Sequence, residues 1–323
     1  MNNNMGMFKV RVAEVLEETS NIKSFRLKRV DGALFDPYPA GAHIDVVGPT
    51  AVVRQYSLCS PPHDLDEYVV AVKLEPGSRG GSQALHDHVE VGHELEISAP
   101  RNLLSVAEDA DRHILVGAGI GVTPMISIAY HLHRAGEEFE LHYFARSAKE
   151  AAFRDLLGER SGFGERVHFH FGLQREDQPD VLDGAFADLS SASHVYTCGP
   201  QGFMDGVLER ASSVIPKDNV HIEHFQAGEP VDTDSDAPFE IELDDEVYEV
   251  PVGRSIVQVL GDNGIEVDTT CREGICGTCI MGVLRGEPDH RDQCMSSSEK
   301  SANDQIAACV SRSKSPRLVL ELF

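Results

Sequence analysis

Hydrophobic and polar residues alternate along short runs in the first third of the chain. The runs between residues 8 and 98 include FKVRVAEV, SFRLKR, HIDVV and YVVAVKL, and Gly and Pro residues separate them. Alternation with a period of two residues is typical of strands that bury one face, and Gly and Pro mark the turns. The pattern therefore predicts an antiparallel β-barrel over residues 1–105.

After residue 112 the rhythm changes, because apolar runs alternate with stretches of helical spacing. The apolar runs are HILVG, ELHYFA, RVHFHF, HVYTC and NVHIEHF. This alternation is typical of βαβ units and predicts a nucleotide-binding α/β domain with a parallel sheet over residues 106–226. The uncharged run at residues 114–130 is short for a membrane span and contains glycines and a proline. We expect a buried strand, a turn and a helix there.

A third unit follows a segment without periodicity. The segment QAGEPVDTDSDAP contains two prolines and four acidic residues, so residues 227–238 are predicted to be an exposed linker. Residues 239–323 open with two short strands, FEIEL and VYEVP. A helix should then place Ile256, Val259 and Leu260 on one face and end near Gly264.

The net charge of the chain limits the kinds of molecule that it is expected to bind. The 323 residues include 53 acidic and 28 basic side chains, a formal net charge of −25. Such a surface repels phosphate backbones and anionic lipid headgroups, so neither nucleic acid nor a membrane is an expected partner. The first residues show no basic segment followed by an apolar one, so we expect a cytoplasmic protein. The seven cysteines are then expected to be reduced, with some of them binding metal.

The spacing of the last cysteines is the most specific chemical signal. Cys271, Cys276 and Cys279 follow the pattern C-x4-C-x2-C, and Cys309 lies farther along. This is the spacing of a plant-type [2Fe-2S] centre, whereas structural zinc usually takes two close pairs of ligands. We therefore expect these four thiolates to bind a [2Fe-2S] cluster, with zinc as the alternative. Cys294 has no partner at ligand spacing and is interpreted as a small buried residue.

Two polar motifs in the barrel suit a flavin phosphate and ring. In RQYSL, Arg54 could pair with a phosphate, Tyr56 could stack on an isoalloxazine ring and Ser57 could donate to a ring nitrogen. In RGGS, backbone amides at Gly80, Gly81 and Ser82 could close on the same phosphate. Taken alone, Arg54 could be a surface charge and Tyr56 an ordinary barrel aromatic.

A glycine-rich turn and a later cysteine suit a dinucleotide. The run VGAGIGVTP follows a predicted strand and opens a predicted helix, but its glycines depart from the G-x-G-x-x-G fingerprint. Helix N-terminal amides and Thr123 could still bind a pyrophosphate. Cys198, in YTCGP, falls at the carboxyl end of a predicted strand, where parallel sheets bind ligands, although it could equally be a small buried residue.

In this order, RQYSL, RGGS, GAGIGVTP, CGP, EHF and the cysteine cluster resemble the phthalate dioxygenase reductase family, and the vanillate demethylase reductases are similar. The resemblance spans nearly the whole chain and implies an FMN barrel, an NAD domain and a β-grasp ferredoxin-like domain with Cys309 as the last ligand. It implies that FMN binds in the RQYSL and RGGS motifs, at Arg54, Gln55, Tyr56, Ser57, Gly80, Gly81 and Ser82. The dinucleotide would bind at Gly119, Gly121, Thr123 and Pro124.

The resemblance also implies catalytic roles. Ser57 would lie near the reactive flavin nitrogen, Cys198 beside the nicotinamide carbon that gives up hydride, and Phe225 over the flavin until nicotinamide displaces it. The residues and the resemblance point to different coenzymes. Arg146 and Ser147 in FARS could suit the 2′-phosphate of NADPH, whereas the resemblance implies NADH. FMN rather than FAD rests on the resemblance alone.

The implied function is the reductase component of a two-component Rieske oxygenase, taking hydride from NADH and delivering single electrons to the oxygenase. No C-x-H pair occurs, so the Rieske centre should belong to another protein. We expect a monomer that docks transiently on that oxygenase through its acidic surface. The alternatives are a free-standing NAD(P)H flavin reductase and a zinc-stabilised binding module. His168 and His170, on one face of a predicted strand, are interpreted as satisfied or solvated side chains.

Overall fold

The computed structural model describes residues 6–76, 80–226, 228 and 236–323. The chain divides into two compact units, Met1–Glu223 and His224–Phe323. Of the expected linker at 227–238, residues 227 and 229–235 lie outside the described residues, as does Arg79 of RGGS. Among the residues that the structure describes, no helix is long and apolar enough to cross a membrane.

The first part of unit one is an antiparallel barrel, as predicted. Its strands follow the order β4-β3-β6-β1-β2-β5, and a bridge between Leu58 and Val70 joins the two ends of the sheet. The alternating residues of each strand point inward, so Val10, Val12 and Phe25 are buried in one apolar core. The elements are β1 Phe8–Thr19, β2 Ile22–Arg29, β3 His43–Val47, β4 Val53–Ser57, β5 Tyr68–Lys73, α1 Gly81–His88 and β6 Glu94–Ile97.

The second part of unit one is a parallel sheet in the order β11-β10-β7-β8-β9. The uncharged run at residues 114–130 forms β7, a tight turn and α2, as expected. Its central strand β7 is buried along its whole length, which explains why its sequence is continuously apolar. The elements are β7 His113–Ala118, α2 Val122–Ala135, β8 Phe139–Ala145, β9 Val167–Phe171, α3 Gln178–Phe186, β10 His194–Cys198, α4 Gln201–Ala211 and β11 Val220–Glu223.

Unit two is a mixed five-stranded sheet in the order β13-β12-β18-β14-β16, with α5 contributing to its core. Ser255 caps α5 through a capping box, and Ile256, Val259 and Leu260 are all buried, as the periodicity predicts. Gly264, at φ +80°, follows the helix end. The elements are β12 Phe239–Leu243, β13 Glu246–Val250, α5 Ile256–Asp262, β14 Ile280–Arg285, β15 Pro288–Asp289, α6 Ser297–Ala302, β16 Gln305–Ala307, β17 Arg312–Ser313 and β18 Arg317–Glu321.

Candidate functional site

Four cysteines of unit two come together as two pairs. Cys271, Cys276 and Cys279 lie on the loop between α5 and β14, and Cys309 follows β16. The sulfurs of Cys271 and Cys276 are 3.0 Å apart. Cys279 is hydrogen-bonded to Cys309, and the amide of Ala308 donates to the Cys279 carbonyl at 3.1 Å. A loop and a strand end distant in sequence therefore present their thiols together.

The pairing favours two metal ions over one. A single zinc ion with bonds of about 2.3 Å holds its four sulfurs about 3.8 Å apart in all combinations. Among the described residues, the group of three potential ligands that lie within 4.8 Å of one another contains no cysteine. One pair for each of two irons suits the donor set, so the four thiols fit a [2Fe-2S] cluster.

Glycine and backbone amides allow the cysteine loop to be tight. Gly274 has φ +72°, and a Cβ there would lie 2.6 Å from Val310 Cγ2 and 3.1 Å from Asp292 Cα. The amide of Glu273 donates to the Cys271 sulfur at 3.3 Å. The hydrogen bond with Cys271 lowers the pKa of Cys276 to about 5. The same hydrogen bond raises the pKa of Cys271, so the pair shares one thiolate, the form that binds metal, and one thiol.

Cys294 lies outside both pairs. Its sulfur approaches an oxygen of Asp292 at 3.5 Å, and the residue is half-buried rather than buried. Burial and that carboxylate raise the pKa of the thiol. Cys294 is not one of the paired thiols, so we do not expect it to bind the metal. This interpretation stays a prediction.

The two barrel motifs lie side by side although their first residues are 25 positions apart in the sequence. Arg54, Gln55, Tyr56 and Ser57 form most of β4, and Gly81 begins α1. A Cβ on Gly81 would lie 3.0 Å from Arg54 Cγ, so a side chain at this position would press against Arg54. The start of α1 and the Arg54 side chain therefore lie close enough together to contact one phosphate.

The side chains of β4 divide between the barrel core and a polar face. Tyr56 is half-buried against the core, and burial raises its pKa. Gln55 Nε2 is buried with no hydrogen-bond partner among the described residues. Such an orphaned donor costs free energy unless a ligand accepts from it, so the strand fits a bound flavin. The amide of Glu75 donates to Ser82 Oγ at 3.2 Å, which anchors the RGGS turn.

The glycine-rich turn packs directly on the end of β10. Residues Gly119–Gly121 form one 3-10 turn before α2. A Cβ on Gly121 would lie 2.2 Å from the carbonyl oxygen of Cys198, which no side chain can satisfy without a shift of backbone. Thr123 and Pro124 are buried, and the Thr123 hydroxyl donates to the Ile120 carbonyl at 3.0 Å. We expect the turn to contact a dinucleotide through its backbone rather than through these side chains.

A buried carboxylate that the sequence analysis missed completes this region. Glu223 ends β11 and pairs in register with Cys198 of β10. Its two oxygens lie 3.3 and 3.4 Å from Ser57 Oγ, so the barrel and the parallel sheet meet here. Burial raises the pKa of Glu223 to about 8 and, together with Glu223, raises the pKa of Cys198. The signal available in the sequence was a carboxylate in EHF at the carboxyl end of a parallel strand.

The remaining predicted site residues are Arg146, Ser147 and Phe225. Arg146 follows β8 and is exposed, while Ser147 Oγ donates to Glu150 Oε2 at 3.4 Å. Phe225 is half-buried and belongs to unit two. Its role over the flavin stays a prediction, as do the roles of Arg146 and Ser147.

Comparisons with known proteins agree with this arrangement. Residues 239–314 match the family model for a 2Fe-2S iron-sulfur cluster binding domain. The chain is 43% identical over 310 residues to a vanillate O-demethylase oxidoreductase of Pseudomonas putida, covering 95% of this chain and 97% of the relative. A solved phthalate dioxygenase reductase, described as a modular structure for electron transfer from pyridine nucleotides to [2Fe-2S], is 36% identical. That match covers 98% of each chain with a TM-score of 0.71.

A second solved structure shows the same fold inside a larger protein. It is an intact type IV self-sufficient cytochrome P450 monooxygenase, 34% identical to this chain with a TM-score of 0.89. The match covers 98% of this chain and 41% of the monooxygenase. The whole fold described above is therefore found both alone and joined to an oxygenase.

Proposed function

The chain belongs to the phthalate dioxygenase reductase family, and we propose that it passes electrons from NADH through FMN and a [2Fe-2S] cluster to a Rieske oxygenase. The comparisons directly support an oxidoreductase that uses flavin, NAD(H) and [2Fe-2S]. They also support its place as the reductase component of an oxygenase system. FMN, NADH, the Rieske centre and the residue roles are the finer parts of the proposal.

The observation that carries the proposal is the meeting of Ser57, Cys198 and Glu223. The first comes from barrel strand β4 and the others from neighbouring parallel strands β10 and β11. A bound flavin would supply the one exchange that this pathway needs, because it accepts two electrons as one hydride and releases them one at a time. The chain's contribution is to orient the two rings where barrel and sheet meet.

Each of the three side chains has a distinct role in that orientation. The Ser57 hydroxyl donates to the Glu223 carboxyl in the structure. With FMN bound, a protonated Glu223 would donate to Ser57 Oγ instead and leave the Ser57 proton for the flavin ring. Because burial keeps Glu223 protonated near neutral pH, it adds no negative charge that would hold the nicotinamide cation in place after hydride transfer. Cys198, fully buried and neutral, provides a small apolar contact for the nicotinamide ring.

The phosphate of FMN is bound by Arg54 and by the backbone amides of Gly80, Gly81 and Ser82. At the second site, Gly119 and Gly121 allow the dinucleotide to approach the backbone. NADH is favoured over NADPH because Arg146 is exposed and the carboxylate of Glu150 lies beside Ser147. A carboxylate there suits ribose hydroxyls and repels a 2′-phosphate.

The oxygenase is proposed to dock transiently near the cysteine loop of a monomeric reductase. Glu266 and Asp268 are exposed just before Cys271. By contrast, Glu240 and Glu242 in the acidic run at residues 226–250 form ion pairs with Arg317. Among the described residues Glu266 and Asp268 form no ion pair, and they precede the cysteine loop that must deliver the electron, so they are the proposed docking charges.

The experiment is a reconstitution with the purified holoprotein and its cognate oxygenase. NADH oxidation is followed together with product formed by the oxygenase, and ferricyanide serves as an artificial acceptor. We expect product formation that requires both proteins, with NADH consumed in proportion. Reduction of ferricyanide without any transfer to the oxygenase would instead support the free-standing flavin reductase, and a holoprotein containing zinc but no flavin would support the binding module.

A further inference from the structure

A compact group of metal-ligating side chains lies on the parallel sheet, away from the cysteine loop. Glu140 and His142 are two residues apart on β8, and His168 and His170 are two residues apart on the adjacent strand β9. His142 and His168 are register partners. Because residues two apart on a strand share a face, all four side chains project from the same face of the sheet.

Three of these side chains converge on one point. The Oε2 atom of Glu140 lies 3.3 Å from His142 Nε2 and 3.2 Å from His168 Nε2. Among the described residues, Glu140, His142 and His168 are the one set of three potential ligands whose atoms all lie within 4.8 Å of one another. Ligands bonded to zinc at about 2.0–2.1 Å in a tetrahedron are about 3.3 Å apart, so the observed separations match that spacing.

The neighbouring side chains hold the group in a ligating arrangement. His142 Nδ1 is 3.1 Å from His170 Nε2, and a hydrogen bond donated by His142 to His170 leaves a lone pair on His142 Nε2, toward Glu140. The other oxygen of Glu140 accepts from Arg112. Partners of this kind orient metal-binding histidines and carboxylates.

Solvent access completes the site. β9 is the edge strand of its sheet, and the His168 side chain is 43% exposed, whereas that of His142 is 8% exposed. An ion can therefore reach the group from solvent and keep a water molecule as its fourth ligand. Neither the flavin and nicotinamide residues nor the paired cysteines include any of these side chains.

We propose that Glu140, His142 and His168 bind one divalent transition-metal ion, with Zn²⁺ as the best match to two imidazoles and one carboxylate. The ion ties edge strand β9 to β8. Imidazole and carboxylate together suit zinc, which has no geometric preference of its own and accepts three protein ligands and a water.

The test is a Zn²⁺ titration of the holoprotein in competition with a chromophoric chelator, with bound iron measured before and after. Iron that stays constant shows that zinc has not displaced the cluster from the cysteines. His168→Ala removes an exposed ligand, His170→Ala removes the orienting partner, and His131→Ala removes an exposed imidazole of α2 as the matched control.

We expect one zinc ion per wild-type chain at constant iron. H168A should lower the affinity by more than about 100-fold, H170A by about 10- to 100-fold, and H131A should not change it. Zinc uptake that is the same in wild type and H168A would overturn the proposal. So would the absence of zinc binding to the wild type, in which case the group is an ion pair between Glu140 and its histidines.

Discussion

The hydroxyl of Ser57 lies 3.3 Å from the carboxylate of Glu223, although 166 residues separate them in the sequence. The contact joins the barrel to the parallel sheet at the place where flavin and nicotinamide should meet. Because Glu223 is buried, its pKa is raised from 4.5 to about 8, so the folded protein keeps a proton that the unfolded chain has lost.

This proton uptake makes stability depend on pH. Between pH 4.5 and 8 the folded state binds more protons at Glu223 than the unfolded state, so Glu223 makes the protein less stable as pH rises. The loss approaches about 1.4 kcal/mol per pH unit. Glu223→Gln should remove this part of the decline, measured as the difference in Tm between pH 5.5 and 7.5. The exposed Glu209→Gln on α4 is the control, and an equal decline in E223Q and wild type would contradict the assignment.

The close approach of Gly121 to the Cys198 carbonyl gives a second prediction. Gly121→Ala should lower the free energy of unfolding by about 1–3 kcal/mol, because its Cβ cannot fit beside β10. It should also weaken NADH binding, since the turn must move. Gly206→Ala on α4 is the control, because a Cβ there meets nothing within 4 Å, and it should stabilise the helix by about 0.5–1 kcal/mol. A stable G121A variant with normal NADH affinity would refute the role of the turn.

Coenzyme preference tests the loop after β8. We expect kcat/KM for NADH to exceed that for NADPH by at least about tenfold, a free-energy difference of about 1.4 kcal/mol. Arg146→Ala should leave the NADH value nearly unchanged and lower the NADPH value by about two- to fivefold, because an exposed ion pair contributes little. Higher kcat/KM with NADPH than with NADH would show that Arg146 and Ser147 bind the 2′-phosphate.

Docking through acidic residues predicts a dependence on salt. The rate of electron transfer to the cognate oxygenase should fall as ionic strength rises, because salt screens the attraction. Glu266→Gln with Asp268→Asn should slow transfer at low salt and flatten this dependence. Asp244→Asn with Asp245→Asn removes the same charge from the exposed β12–β13 turn and should have a smaller effect. A wild-type rate that does not change with ionic strength would rule out electrostatic steering.

The parts of this protein that the sequence predicts are those with local signals. Strand alternation, helix periodicity around Ile256 and the spacing of Cys271, Cys276 and Cys279 each depend on neighbours in the chain. The short helix α1 and the bridge from Leu58 to Val70 depend on barrel closure, which no local pattern encodes.

The same reasoning explains what was missed in the sites. Glu223 looks like an ordinary acid until β4, β10 and β11 are assembled around it, and then burial changes its protonation. His168 and His170, interpreted from sequence as satisfied or solvated, do have partners, but those partners come from β8. Convergence of Glu140, His142 and His168 becomes visible only when the register between the two strands is known.

The most direct test of the central account removes one of the paired thiols. Cys276→Ala is compared with Cys294→Ala, which removes a nearby thiol that is not paired, and both are assayed as purified proteins with NADH. The account predicts that C276A loses cluster iron and oxygenase reduction but still reduces ferricyanide, while C294A keeps all three. A C276A protein that reduces the oxygenase at the wild-type rate would contradict the account.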